Sequence, residues 1–173
     1  MLSSARLFGV GISRWLWLAG TAILCATGAQ SSMNESLKEL VRAEARAAGF
    51  DAVRVTAPAA VSNAVAERLE QFLQDGRHGD MAWMATTAER RQHPLSMWPD
   101  ARSIVMLGMN YAPKDDPLAV LAEPSRGAIS CYAQCSDYHD VVKSGLKRVA
   151  GVLARESGAE VKVFVDTAPL MEK

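Results

Sequence analysis

The sequence predicts an α/β fold of layered helices and strands, and three observations carry that prediction. Apolar residues recur at helical spacing in three long stretches, short β-branched or fully apolar runs lie between them, and glycine or proline marks most junctions. Alternation of helix and strand patterns calls for helices packed on a sheet. At 173 residues, with 49% hydrophobic and 22% charged residues, the chain is long enough for one domain with a real core and is neither disordered nor fibrous.

The first thirty-two residues differ from the rest. They contain Arg6 and Arg14, no acid, and an apolar run from Trp15 to Ala26 followed by Thr27-Gly28-Ala29. A basic start, a short apolar stretch and small residues make a secretory-signal pattern, with cleavage expected after Ala29; the run is short for a membrane span. A second reading competes, because Met33 is followed at once by Asn34-Glu35-Ser36-Leu37, a good start for a cytosolic helical domain. Residues 1–32 are then an N-terminal extension from a misassigned start, and residues 33–173 are the domain. Without them 17 basic residues stand against 19 acidic ones, a net charge of −2.

From Met33 onward the elements follow in order. Leu37, Leu40, Val41 and Ala48 share a helical face that Asn34 or Ser36 can cap and Gly49 can stop. Phe50 to Thr56 reads as a strand ended by Pro58, and a second helix from about Val61 uses Val65, Leu69, Phe72 and Leu73 before Asp75-Gly76. Ser103 to Met109 is apolar on both faces, as suits a central strand covered on two sides. A long helix from near Tyr138 to Ser157 uses Val142, Leu146, Val149 and Leu153 and stops at Gly158. Val161, Val163 and Val165 then alternate with Lys162 and Phe164 as a strand with one face in a core. That strand delivers Asp166 to its carboxyl end, the edge where open α/β sheets bind ligands. Asp166 is therefore a candidate for acid–base chemistry, while Asp166 or Thr167 can equally cap a following helix whose first turn suits Pro169.

A formal net charge of zero gives no whole-protein field to hold nucleic acid or an anionic membrane, so any RNA contact must use a local basic patch. Three cysteines, Cys25, Cys131 and Cys135, exclude a dense disulfide framework and supply no self-sufficient metal site.

Three segments carry more chemistry than secondary structure needs. In Gly76-Arg77-His78-Gly79-Asp80-Met81-Ala82-Trp83-Met84 the glycines allow close backbone approach, and Met81, Trp83 and Met84 are either a soft wall for a flat cofactor or ordinary core. In Ala88-Glu89-Arg90-Arg91-Gln92-His93-Pro94 the tandem arginines can grip phosphate or carboxylate, or form a solvated face. Ile129 to Asp140 packs two thiols, two phenols, an imidazole and two acids together; Cys131 and Cys135 face each other only if the segment is helical. There His139 reads as a proton shuttle, a phosphate contact or a structural group, and Asp137 as the N-cap of the long helix.

Six landmarks in register resemble the N-terminal half of epoxyqueuosine reductase, an enzyme of queuosine biosynthesis in tRNA. They are Ala48-Gly49-Phe50-Asp51, His78 to Met84, Arg90-Arg91 before Pro94, Met109-Asn110-Tyr111, Ser136-Asp137-Tyr138-His139, and Val165-Asp166-Thr167-Ala168-Pro169. The resemblance covers about Glu35 to Lys173. It implies an oxidoreductase that reduces epoxyqueuosine at the wobble position of tRNAs with G-U-N anticodons, those for histidine, aspartate, asparagine and tyrosine, in the cytoplasm. It implies cobalamin and two 4Fe-4S clusters as cofactors, Asp166 as proton donor to the epoxide oxygen, and Arg91, Cys131 and Asp166 as residues at the cobalamin site. Ser136 stands where relatives commonly carry arginine. By the same resemblance the chain is the cobalamin-binding domain, truncated before the ferredoxin-like module whose cysteines bind the clusters, and inactive alone. The alternatives are a non-catalytic cobalamin- or tRNA-binding fragment, or a secreted α/β protein if the leader is a true signal.

Overall fold

Asn34 starts the first helix: its Oδ1 accepts the Leu37 N–H at 2.8 Å, and the chain coils from Glu35 to Ala47 as α1. In the computed structural model, which describes residues 21–26, 33–113, 115–116, 118–134 and 136–165, this helix lies on one face of a four-stranded sheet. The strands are β1 (Thr21–Ala26), β2 (Ala52–Thr56), β3 (Ser103–Gly108) and β4 (Glu160–Val165). Between β2 and β3 run the helices α2 (Ala64–Gln74), α3 (Ala82–Thr86), α4 (Ala88–Gln92) and α5 (Pro94–Met97); α6 (Tyr138–Ser157) precedes β4.

The sheet order is β2-β3-β1-β4, and every ladder in it is antiparallel. This refines the α/β expectation: β3 and β4 do run in the same direction, joined by α6, but β1 lies between them and opposes both. The strand between them comes from the segment that reads in sequence as the apolar part of a leader. A short apolar run fits a buried strand as well as a signal, and periodicity alone does not separate the two.

Register sorts the side chains onto two faces. Ile23 stands opposite Val105 and Val163, and Val53 opposite Leu107. These residues meet α1 through Val41 and Ala45 and α6 through Val142, Leu146, Val149 and Leu153, forming the main core. The other face is thinner, with Ile104, Met106 and Phe164 packed on Trp98, Ala101 and Leu95 from α5 and its exit. Lys162 completes that side, its ammonium 4.1 Å from the centroid of the Trp98 ring. β3 is buried on both faces, as its unbroken apolar run requires.

The helix boundaries follow capping chemistry. α6 begins where Asp137 accepts the His139 N–H and ends where Gly158 turns left-handed at φ +66°. α2 starts three residues later than its apolar pattern suggests, because Pro58–Ala60 forms a 3₁₀ turn and the Ser62 hydroxyl takes the Ala64 N–H. Leu40, placed by spacing on the buried face of α1, is 42% exposed, since α1 presents only its Leu37, Val41 and Ala45 stripe to the core.

Two glycines inside α6 have opposite fates. A Cβ on Gly145 would meet Phe50 Cε2 at 2.9 Å and the Ala48 carbonyl oxygen at 3.4 Å, whereas one on Gly151 would meet nothing within 4 Å. Gly145 is what lets α6 lie against the turn between α1 and β2. Gly151→Ala is thus expected to raise stability by about 0.5–1 kcal/mol through helix propensity, and Gly145→Ala to lower it by about 1–2 kcal/mol through overpacking. Urea unfolding of the two variants checks the opposite signs.

Candidate active site

The chain's topology gathers one group of chemically able residues at one edge of the sheet. β3 leaves the sheet at Gly108, and β4 ends at Val165, which pairs through Thr21 with Leu107 at that same edge. The short link from Gly158 to Glu160 puts the C-terminus of α6 at the opposite edge, so its N-terminus, with Asp137, Tyr138 and His139, returns to this one. β2 enters here too, and Asp51 just before it pins the edge. Its N–H donates to the Gly108 carbonyl at 2.8 Å and its Oδ2 accepts the Asn110 N–H at 2.7 Å. Asn110 Oδ1 in turn accepts the Ala112 N–H at 2.9 Å, starting the long loop that leads to α6.

That loop closes around Cys131. A 3₁₀ turn spans Cys131–Ala133, and the Gln134 side-chain amide donates to the Ile129 carbonyl at 2.8 Å across it. The Cys131 thiol is free and partly exposed. The turn is not an α-helix, so the spacing of four residues does not by itself set Cys131 against Cys135, which lies outside the described residues. Tyr132 meets the Tyr138 ring edge-on at 6.2 Å, and Tyr138 stacks on His139 at 4.0 Å. Asp137 Oδ1 accepts the His139 N–H at 2.9 Å and sits 2.8 Å from its Nδ1.

Those two contacts, the backbone one first, hold the Asp137 carboxyl below its usual range. A lowered carboxylate pKa contributes stability at neutral pH that disappears as pH falls through the folded value. Protection of the His139 amide, measured against its intrinsic exchange rate at each pH, is therefore expected to fall as pH drops below the ordinary Asp value of about 4, and Asp137→Asn should abolish that pH dependence. Amide exchange by NMR between neutral and acid pH reads it directly.

A second cluster lies on the helices between β2 and β3. Arg91 Nε donates to Thr87 Oγ1 at 2.9 Å and its guanidinium carbon lies 4.6 Å from the Trp83 ring centroid, while the Thr87 hydroxyl donates to the Trp83 carbonyl at 2.7 Å. Trp83 is 50% exposed and Met81 41% exposed, which corrects the reading of these two as ordinary core. α3 is too short, at five residues, to bury both sides of itself, and its contacts run to α4. His78 nearby has a buried Nδ1 with no hydrogen-bond partner. His93 is spent on structure, its Nδ1 accepting the Leu95 N–H at 3.1 Å to start α5.

Of the residues singled out in sequence, Cys131 falls in the cluster at the start of α6. Arg91 falls with Trp83, on a helical unit joined through α4 and α5 to the sheet face opposite α6. Asp166 lies one residue beyond the described part of β4, next to Val165. Among the described residues no group of three or more histidine, cysteine or acidic side chains could hold a metal ion.

Comparison with known proteins shows what the chain is similar to. Residues 91–167 match the family described as "Epoxyqueuosine reductase QueG, DUF1730". The epoxyqueuosine reductase of Leadbetterella byssophila is 38% identical over 143 residues, 82% of this chain and 45% of the relative. That of Cyclobacterium marinum is 36% identical over 142 residues, 80% of this chain and 44% of the relative. The chain is a relative of the epoxyqueuosine reductases. The Pseudomonas aeruginosa reductase agrees, at 36% identity over 107 residues, 61% of this chain and 30% of the relative. The chain thus spans less than half the length of the curated relatives it matches. No solved structure matches it significantly.

Proposed function

We propose that this chain is the N-terminal part of an epoxyqueuosine reductase, acting in the cytoplasm on tRNAs with G-U-N anticodons. The similarity to reductases over about four-fifths of the chain carries this reading. The reaction replaces an epoxide by a carbon–carbon double bond: two electrons and two protons enter, both C–O bonds break, and the oxygen leaves as water. Expelling an alkoxide in a site shielded from water is costly, and a carboxylic acid held neutral lowers that cost by protonating the oxygen as it departs. Asp166, the residue that follows β4 in sequence, is the group assigned to that proton. Asp51 and Asn110 hold the neighbouring strand end in place, and so act as positioning residues.

The side chains fit the two cofactor types unequally. Exposed Trp83, with Arg91 over its ring, and exposed Met81 on the same segment suit one wall of a broad, flat cofactor such as cobalamin, with the guanidinium available to its polar rim. Cys131, partly exposed near the same end of α6 as His139, is a further residue assigned to hold that cofactor. Cobalamin, when bound, would supply electrons at its cobalt. Two 4Fe-4S clusters need four thiolates each, and three cysteines do not fit them. The chain therefore needs further polypeptide for the electron supply and does not turn over alone.

Mixing the purified chain with cob(II)alamin tests the cofactor assignment. A change in the visible spectrum and co-elution on a sizing column are expected, weakened in Arg91→Ala; no change and no co-elution would remove cobalamin from the reading. Incubated with a chemical reductant and tRNA containing epoxyqueuosine, the chain alone is expected to leave the modified nucleoside unchanged.

A further inference from the structure

We propose that β3 and β4 form a strand-accepting slot that residues 21–26 of this chain fill, so that the segment is a required strand of the fold and its removal opens the sheet. In the order β2-β3-β1-β4, β3 and β4 have no ladder with each other. With strands about 4.8 Å apart, their axes lie about 9.6 Å apart, one strand width too far to pair directly. β1 bridges them through register pairs from Thr21↔Leu107 to Cys25↔Ser103 on one side and from Thr21↔Val165 to Ala26↔Glu160 on the other.

Removing this strand would strip backbone partners from both neighbours at once. The edges left bare lie inside the sheet, next to residues such as Val105 and Leu107 that are 0% and 2% exposed, where unpaired N–H and C=O groups are costly. The side chain of Ile23 adds a second loss. It is fully buried, in the cluster that joins the sheet to α1 and α6.

The consequence concerns processing. Cleavage after Ala29, or translation from Met33, would each excise this strand. A seated β1 and a cleaved leader are thus mutually exclusive states. The occupant is a run of six residues of this chain, apolar or small except for Thr21, which pairs in both ladders and precedes α1 in sequence by eight residues, 27 to 34.

Hydrogen exchange on the intact chain is the primary test. The amides of Thr21 to Ala26 are expected to exchange at least about 100-fold more slowly than in an unstructured peptide, in step with those of Ser103 to Leu107 and Val161 to Val165. Unprotected amides in 21–26 beside protected ones in β3 and β4 would overturn the proposal. A chain starting at Met33 provides the second test. It should lose protection in β3 and β4 and regain it on addition of a synthetic peptide of residues 17–30, and not on addition of that peptide carrying Ile23→Asp. A Met33 chain that keeps full protection and melts at the same temperature as the intact one, or equal rescue by both peptides, would overturn it as well.

Discussion

Asp166→Asn, in a reductase completed with the cluster-binding part its relatives are expected to carry, should slow conversion of epoxyqueuosine to queuosine by about 10²–10⁴-fold, the usual range for loss of a general acid. Asparagine matches aspartate in size and can still hydrogen-bond, but it has no proton of suitable acidity to give the leaving oxygen. If Asp166 only capped a following helix, asparagine would serve nearly as well, since the two residues cap about equally. The substitution therefore separates the two readings that the residue types leave open. Binding of tRNA should change little, because the loss belongs to the bond-breaking step. A variant that keeps its rate would return Asp166 to the capping role.

Leu146→Ala is expected to destabilise the chain by about 2–5 kcal/mol, the range for emptying a fully buried leucine site. Leu146 is 0% exposed at the centre of the face by which α6 meets the sheet, with Val142, Val149 and Leu153 along the same stripe. The loss has two parts, the transfer of the removed carbons and the cavity left behind, and the second depends on how far the helix can settle. Close packing of Gly145 on Phe50, one residue away, limits that settling and favours the upper part of the range. Urea unfolding gives the value, with a reduced midpoint at unchanged slope as the expected pattern.

The elements that were legible in the sequence are those with strong local signals. α6 runs from Tyr138 to Ser157 as its pattern indicates, because Asp137 and Gly158 fix both ends by capping chemistry that needs no tertiary partner. β3 was equally plain, since an unbroken apolar run bounded by turns must be covered on both faces. β1 was not, because six apolar or small residues after a basic segment satisfy a signal, a strand and a buried helix alike. What decided it was the vacancy between β3 and β4, a property of residues 103–107 and 160–165 rather than of the run itself.

The candidate site divides in the same way. Asp137 as a cap is local and readable. The hydrogen bond from Asn110 to Asp51 joins residues 59 apart, and nothing in either neighbourhood announces the other. The exposure of Trp83 depends on how little α3 is covered, whereas its composition favours burial. For Asp166, which lies outside the described residues, the strand pattern gives an expected position at an edge, and its role as proton donor is a proposal.

The most direct test of the central claim joins this chain to the cluster-binding remainder of the Pseudomonas aeruginosa reductase and expresses the hybrid in a strain whose tRNA accumulates epoxyqueuosine. Nucleoside mass spectrometry of that tRNA should then find queuosine restored by the hybrid and epoxyqueuosine persisting with Asp166→Asn. A soluble, cluster-loaded hybrid that leaves epoxyqueuosine in place, or one that restores queuosine equally with and without Asp166, would contradict the account.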